Sequence, residues 1–153
     1  MKIRNGFVSN SSSSASFVIV GFEVDASDSK EVVKKIFDLS DEDIMEKMKN
    51  SFYGEKPEDI EDPDQIKEFC DELLYDLKDE KKNFDWLYGE GSVPDGKMIV
   101  GKLLSYIRSD DYGDNIDGTS EFTIEELATT IQELKTKMES TEPTKVYTGS
   151  MCC

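Results

Sequence analysis

The chain has 153 residues, the length of one domain, and its 37% hydrophobic and 10% aromatic content supports a buried core despite 34% charged residues. Eighteen bases against 34 acids give a formal charge of −16 and a pI near 4.3, a surface that repels phosphate backbones and speaks against direct nucleic-acid binding. The absence of histidine excludes Ser-His and Cys-His nucleophile pairs, and three cysteines without ligand spacing exclude a closed zinc site.

Residues 1–22 contain no acid and two bases, Lys2 and Arg4. The apolar pair Phe7 and Val8 is followed by hydroxyl-rich residues from Ser9 to Ser16, whose side chains bond to nearby backbone and favour tight turns. This predicts an N-terminal arm over 1–15 with a Ser-rich turn, feeding a strand over 16–24. Phe17-Val-Ile-Val-Gly-Phe22 lacks clean alternation, as expected of a strand covered on both faces.

The stretch Lys2-Ile-Arg-Asn-Gly-Phe-Val-Ser-Asn-Ser-Ser-Ser-Ser-Ala-Ser-Phe-Val-Ile19 resembles an N-terminal motif of small uncharacterised proteins of tailed bacteriophages and prokaryotes. There a phenylalanine, a Val-Ser/Thr-Asn pair and a run of serines precede a second phenylalanine; Ala15 interrupts the run here. The resemblance covers about the first 20 residues, implies a phage or prokaryotic origin, and carries over no catalytic residue.

Downstream, Val32, Val33, Ile36 and Phe37 share one side of a helix over 30–37. Ser40-Asp-Glu-Asp43 has capping-box spacing and opens a short helix through Ile44, Met45 and Met48, with the methionines in the core. Asp62 caps a helix that starts at Pro63, with Gln65 three residues after the cap. Ile66, Phe69, Cys70, Leu73, Leu74 and Leu77 form its apolar face, so Cys70 reads as a small buried hydrophobe. The opposite face carries Glu68, Asp71, Glu72, Asp76 and Asp79 and continues the acidic loop of Glu58, Asp59 and Glu61.

Residues 83–88, with Trp86, read as a strand in a hairpin with 97–108, although Leu103 to Ile107 also suits a helix. Ser109 to Thr119 reads as a polar loop. Thr123-Ile-Glu-Glu126 repeats the capping-box spacing and opens a helix through Leu127, Ala128, Ile131, Leu134 and Met138. An edge strand over 144–148 and a tail over 149–153 complete the chain. The terminal Cys152-Cys153 resembles the prenylation end of vesicle-traffic GTPases, but no phosphate loop accompanies it, and an exposed tail is expected. The expected class is α+β: a single domain over 1–148 with a small, mostly antiparallel sheet and helices on one face.

The expected compartment is the cytoplasm, that of the host cell if the protein is phage-encoded: no apolar stretch approaches bilayer length and the thiols form no disulfide framework. No cofactor is expected. The first functional expectation is a non-catalytic phage accessory protein whose acidic helical faces, Glu68, Asp71, Glu72, Asp76, Asp79, Glu58, Asp59 and Glu61, bind a host protein with a basic surface. Inhibition and DNA mimicry are its sharper forms. One alternative is a virion-associated structural protein docking through its Ser-rich arm. Another is a cation-dependent enzyme using Asp110, Asp111, Asp114 and Asp117, whose oxygens suit hard cations. An EF-hand fails there: with Gly118 at the sixth position, Gly113 and Ile124 take places where carboxylates belong.

Overall fold

The computed structural model describes residues 14–50, 62–78, 84–88, 93–110, 113–116 and 122–152. Its spine is β1 (Ser14–Asp25), flanked by β3 (Lys97–Asp110) on one side and β5 (Lys145–Cys152) on the other, both antiparallel to it. Outside β3 lie β2 (Asp85–Tyr88), along its first residues, and β4 (Gly113–Ile116), along its last. The expected α+β class is therefore correct, and the sheet is antiparallel throughout with the order β2-β3-β1-β5.

β1 is buried on both faces, as its continuous apolar run requires. Val20 and Phe22 point into the helix-side core, whereas Phe17 and Ile19 join Val93, Ile99 and Tyr147 in a second cluster on the opposite face. Its register with β3 shifts at the Val18–Ile19 step, where Leu104 is the extra residue of a bulge in β3.

The helices cover one face. α1 (Ser29–Phe37) buries Val32, Val33 and Ile36, and α2 (Asp41–Asn50) buries Ile44 and Met48. α3 (Pro63–Lys78) contributes Cys70, Leu73, Leu74 and Leu77, and α4 (Ile124–Met138) contributes Ile131 and Leu134. These meet Phe22, Phe84, Trp86, Met98 and Val100 from the sheet side in one core. Met45 and Met138 pack against its margin.

The helix starts follow their local signals. Ser40 Oγ accepts from the Asp43 N–H at 3.1 Å, and Asp43 Oδ2 accepts from the Ser40 hydroxyl at 2.7 Å and the Ser40 N–H at 2.8 Å, which together hold the Asp43 carboxyl below its usual range. Thr123 and Glu126 close the same box on α4. Asp62 Oδ1 accepts from the Asp64 N–H at 3.0 Å, but Gln65 does not complete a box; its Oε1 is buried without a hydrogen-bond partner.

Helix ends α1 and α4 are tied to each other. Each stops on an acid in left-handed conformation, Asp38 at φ 55° and Glu139 at φ 53°. Lys137 of α4 reaches Asp38 at 3.0 Å, and Lys35 of α1 reaches Glu139 at 3.0 Å. Each lysine sits in the last turn of its own helix, where a positive charge is favoured.

The strand expected over 97–108 is present, and Leu103 to Ile107 belongs to it because it pairs with residues 16–19 of β1. The expectations need correction in three places. The stretch from Ser109 is not all loop: β3 runs to Asp110, and Gly113–Ile116 pairs back on it across a two-residue connection. The tail from 149 belongs to β5, which continues to Cys152. β1 begins at Ser14, two residues earlier than expected, and so gives β5 a ladder to extend along. The rest of the Ser-rich arm, 1–13, lies outside the described residues.

Candidate functional site

α3 carries the acidic face in question. Its apolar series turns Cys70, Leu73, Leu74 and Leu77 inward, which leaves the opposite side of the helix to solvent. Glu68, Glu72 and Asp76 are all exposed and recur every fourth residue, about 6 Å apart along the helix axis. No described residue forms an ion pair with them. Asp71 is different: it is half-buried and held by Lys67 at 2.8 Å, so its charge is largely answered within the helix. Glu58, Asp59, Glu61 and Asp79 lie outside the described residues.

Several described acids elsewhere are matched. Asp41 receives Lys30 at 2.7 Å and Lys34 at 3.0 Å, which holds its carboxyl below the usual range. Asp25 receives Lys97 at 2.6 Å, and Lys97 is in turn raised by that bond. Glu23 receives Lys145, and Asp85 receives Lys102. The outer face of α3 presents a row of exposed carboxylates with no described counter-charge, which attract cationic groups over about a Debye length.

One side chain on this face is not acidic. Tyr75 is 67% exposed, and its ring stands edge-on to Trp86 with centroids 4.8 Å apart. Trp86 is itself buried and its Nε1 points at the Leu74 carbonyl at 3.4 Å. The tyrosine is thus braced by the core while most of its ring faces solvent, next to Glu72 and Asp76. An aromatic face beside carboxylates suits a guanidinium or ammonium group, which stacks on the ring and bonds the oxygens. The residue-by-residue reading missed Tyr75. Its signal was an aromatic outside the apolar series on an otherwise charged face.

The Asp-rich stretch is divided by the hairpin. Asp110 ends β3 opposite Gly113, and Asp114 stands opposite Ser109, while Asp111 and Asp117 lie outside the described residues. Among the described residues, no three carboxylate or thiol side chains gather to hold a metal ion. Cys70 is buried in the core, and burial pushes its thiol up to about 11, so it is a poor nucleophile near neutrality. Tyr147 donates to Glu23 Oε1 at 3.1 Å; burial and this bond push its hydroxyl up to about 12. The pair ties β5 to β1.

Among the described residues no helix is long and apolar enough to cross a membrane. No protein family, curated protein or solved structure matches the chain. What is established at this level is an α+β protein with a layer of helices on one face of an antiparallel sheet.

Proposed function

We propose that this is a non-catalytic bacteriophage accessory protein that binds a basic surface of a host protein through the outer face of α3. The observation that carries the binding is the row Glu68, Glu72 and Asp76, exposed and unmatched by any described cation, with Tyr75 standing braced beside it. The phage origin is supported by the N-terminal resemblance over residues 2–19. In its sharper form the α3 face mimics DNA and the partner is a nucleic-acid-binding protein.

The test is affinity capture from bacterial lysate with the wild-type chain and with a Glu68→Gln, Glu72→Gln, Asp76→Asn triple variant. A stoichiometric partner retained by the wild type, released at high salt and lost by the variant is the expected result. Displacement of that partner by duplex DNA would select the mimic form. A partner held equally by both chains and indifferent to salt would remove α3 as the docking face.

A further inference from the structure

We infer that the outer face of α3 recognises an arginine of its partner in preference to a lysine, and that Tyr75 makes the distinction. This rests on the reading above that α3 is the docking face, and it names what that face selects. The aromatic pair carries it. Tyr75 lies outside the apolar series of α3, and its ring is 67% exposed. It stands edge-on to Trp86, with centroids 4.8 Å apart and planes at 78°. Trp86 is buried, and its Nε1 donates at 3.4 Å to the carbonyl of Leu74, the residue before Tyr75. One side of the phenol ring is therefore braced by the core while the rest is presented to solvent, so little further ordering is required on binding.

Helical spacing puts carboxylates beside that ring. Long side chains on a helix lean toward its N-terminus, so a residue at position 75 covers the turn that holds Asp71 and Glu72. Residues three and four apart on a helix have Cβ atoms about 5–6 Å apart, within reach of one guanidinium. Asp71 is already engaged by Lys67 at 2.8 Å. Glu72, and Glu68 one turn before it, are exposed and form no ion pair with a described residue. Glu72 is thus the carboxylate placed to bond a cation that lies on the ring. Among the described residues the cation seated over an aromatic is Lys102, 5.3 Å from the centroid of Phe122, and none stands over Tyr75.

The chemistry of this seat selects between the two basic side chains. An ammonium is a compact, strongly hydrated charge, and on a ring mostly open to water it keeps its hydration and gains little. A guanidinium is planar and more weakly hydrated. It lies flat on a phenol ring while the N–H groups at its edge bond a carboxylate alongside. Tyr75 supplies the face and Glu72 the acceptor. The charges of Glu68 and Asp76 act alike on both cations, so they set the strength of attraction and its salt dependence and leave the choice to the ring.

The test uses a fluorescent alanine-based peptide with an arginine at every fourth residue, and the same peptide with lysines. Anisotropy gives the two affinities, and proton NMR reads stacking as an upfield ring-current shift of the arginine δ-methylene. The wild-type chain should bind the arginine peptide about threefold to fivefold more tightly, the worth of one exposed cation–π stack, and should produce that shift. Tyr75→Phe should keep the preference and the shift. Tyr75→Leu should lose both and bind the two peptides alike; its ring being mostly outside the core, this variant should fold, which circular dichroism checks. Equal affinity of the wild type for the two peptides, or a preference that survives Tyr75→Leu, overturns the inference. In either case α3 still stands as the docking face if the Glu68→Gln, Glu72→Gln, Asp76→Asn variant loses both peptides. Undiminished binding by that variant, or no binding of either peptide by the wild type, would remove the docking face and the inference with it.

Discussion

Gly21 and Gly101 stand directly opposite one another where β1 crosses β3, so close that neither has room for a Cβ. On Gly21 that atom would run into the Val100 carbonyl, and on Gly101 into the Val20 carbonyl, with the facing glycine Cα 2.9 Å and 2.6 Å away. The obstacle is backbone, so no rotamer change relieves it. Gly21→Ala and Gly101→Ala should each lower stability by about 2 kcal/mol or more, through forced separation of the central strands. Urea unfolding checks this; a loss within about 0.5 kcal/mol for either variant would show that the strands part freely.

Asp85 should matter more than a surface acid. Its carboxylate stands in for a missing ladder partner of Leu103 and neutralises Lys102, with both side chains nearly buried. Asp85→Ala should cost about 3 kcal/mol, because a backbone donor loses its acceptor and Lys102 loses this counter-charge. Asp85→Asn, which keeps an acceptor, should cost less. Equal losses for the two variants would mean that the charge alone matters.

The reciprocal pairs at the ends of α1 and α4 set two effects against each other. A left-handed conformation costs a non-glycine residue roughly 1 kcal/mol, and exposed ion pairs contribute roughly 0–1 kcal/mol. Strain should win, so Asp38→Gly and Glu139→Gly are each expected to be neutral or to raise the melting temperature slightly. Marked destabilisation by either would assign the greater weight to the pairing.

The capping boxes give a cleaner expectation. Thr123→Ala should destabilise by about 1 kcal/mol, and Ser40→Ala by a similar amount, since each leaves a helix amide without its side-chain acceptor. Denaturant midpoints measure both; an unchanged midpoint would mean that water replaces the cap without loss.

Alkali should weaken the fold through Tyr147. Its hydroxyl is raised from about 10 to about 12, so its contribution is complete below pH about 10 and is lost as pH climbs through about 12. Tyrosinate absorbance should show one late-titrating group, absent in Tyr147→Phe, whose stability should fall less steeply over that range. Cys70, raised to about 11 by burial, should stay unalkylated at mild pH in the folded chain and react once it is unfolded.

Much of the architecture was legible in the residues because it rests on short-range rules. The series from Ile66 to Leu77 places α3, Ser40-Asp43 and Thr123-Glu126 mark two helix starts, and the run from Phe17 marks a strand buried on both faces. Each depends on neighbours within a few residues, through helical periodicity or a hydroxyl reaching an adjacent amide. The acidic row Glu68, Glu72 and Asp76 was legible for the same reason.

Other features depend on what lies across the sheet. The length of β5 depends on where β1 starts, and the strand state of Leu103 to Ile107 depends on residues more than eighty positions away. That Asp85 takes a ladder position of β3 beside the short β2 follows from strand order, which local pattern does not encode. Whether a carboxylate is matched, as Asp71 and Asp85 are, or has no counter-charge among the described residues, as Glu72 has none, depends on which lysine the fold brings near. Ladder hydrogen bonds, close backbone approach and ion pairing act between groups that only folding brings together, so the tertiary structure decided these features and the helices could be read beforehand.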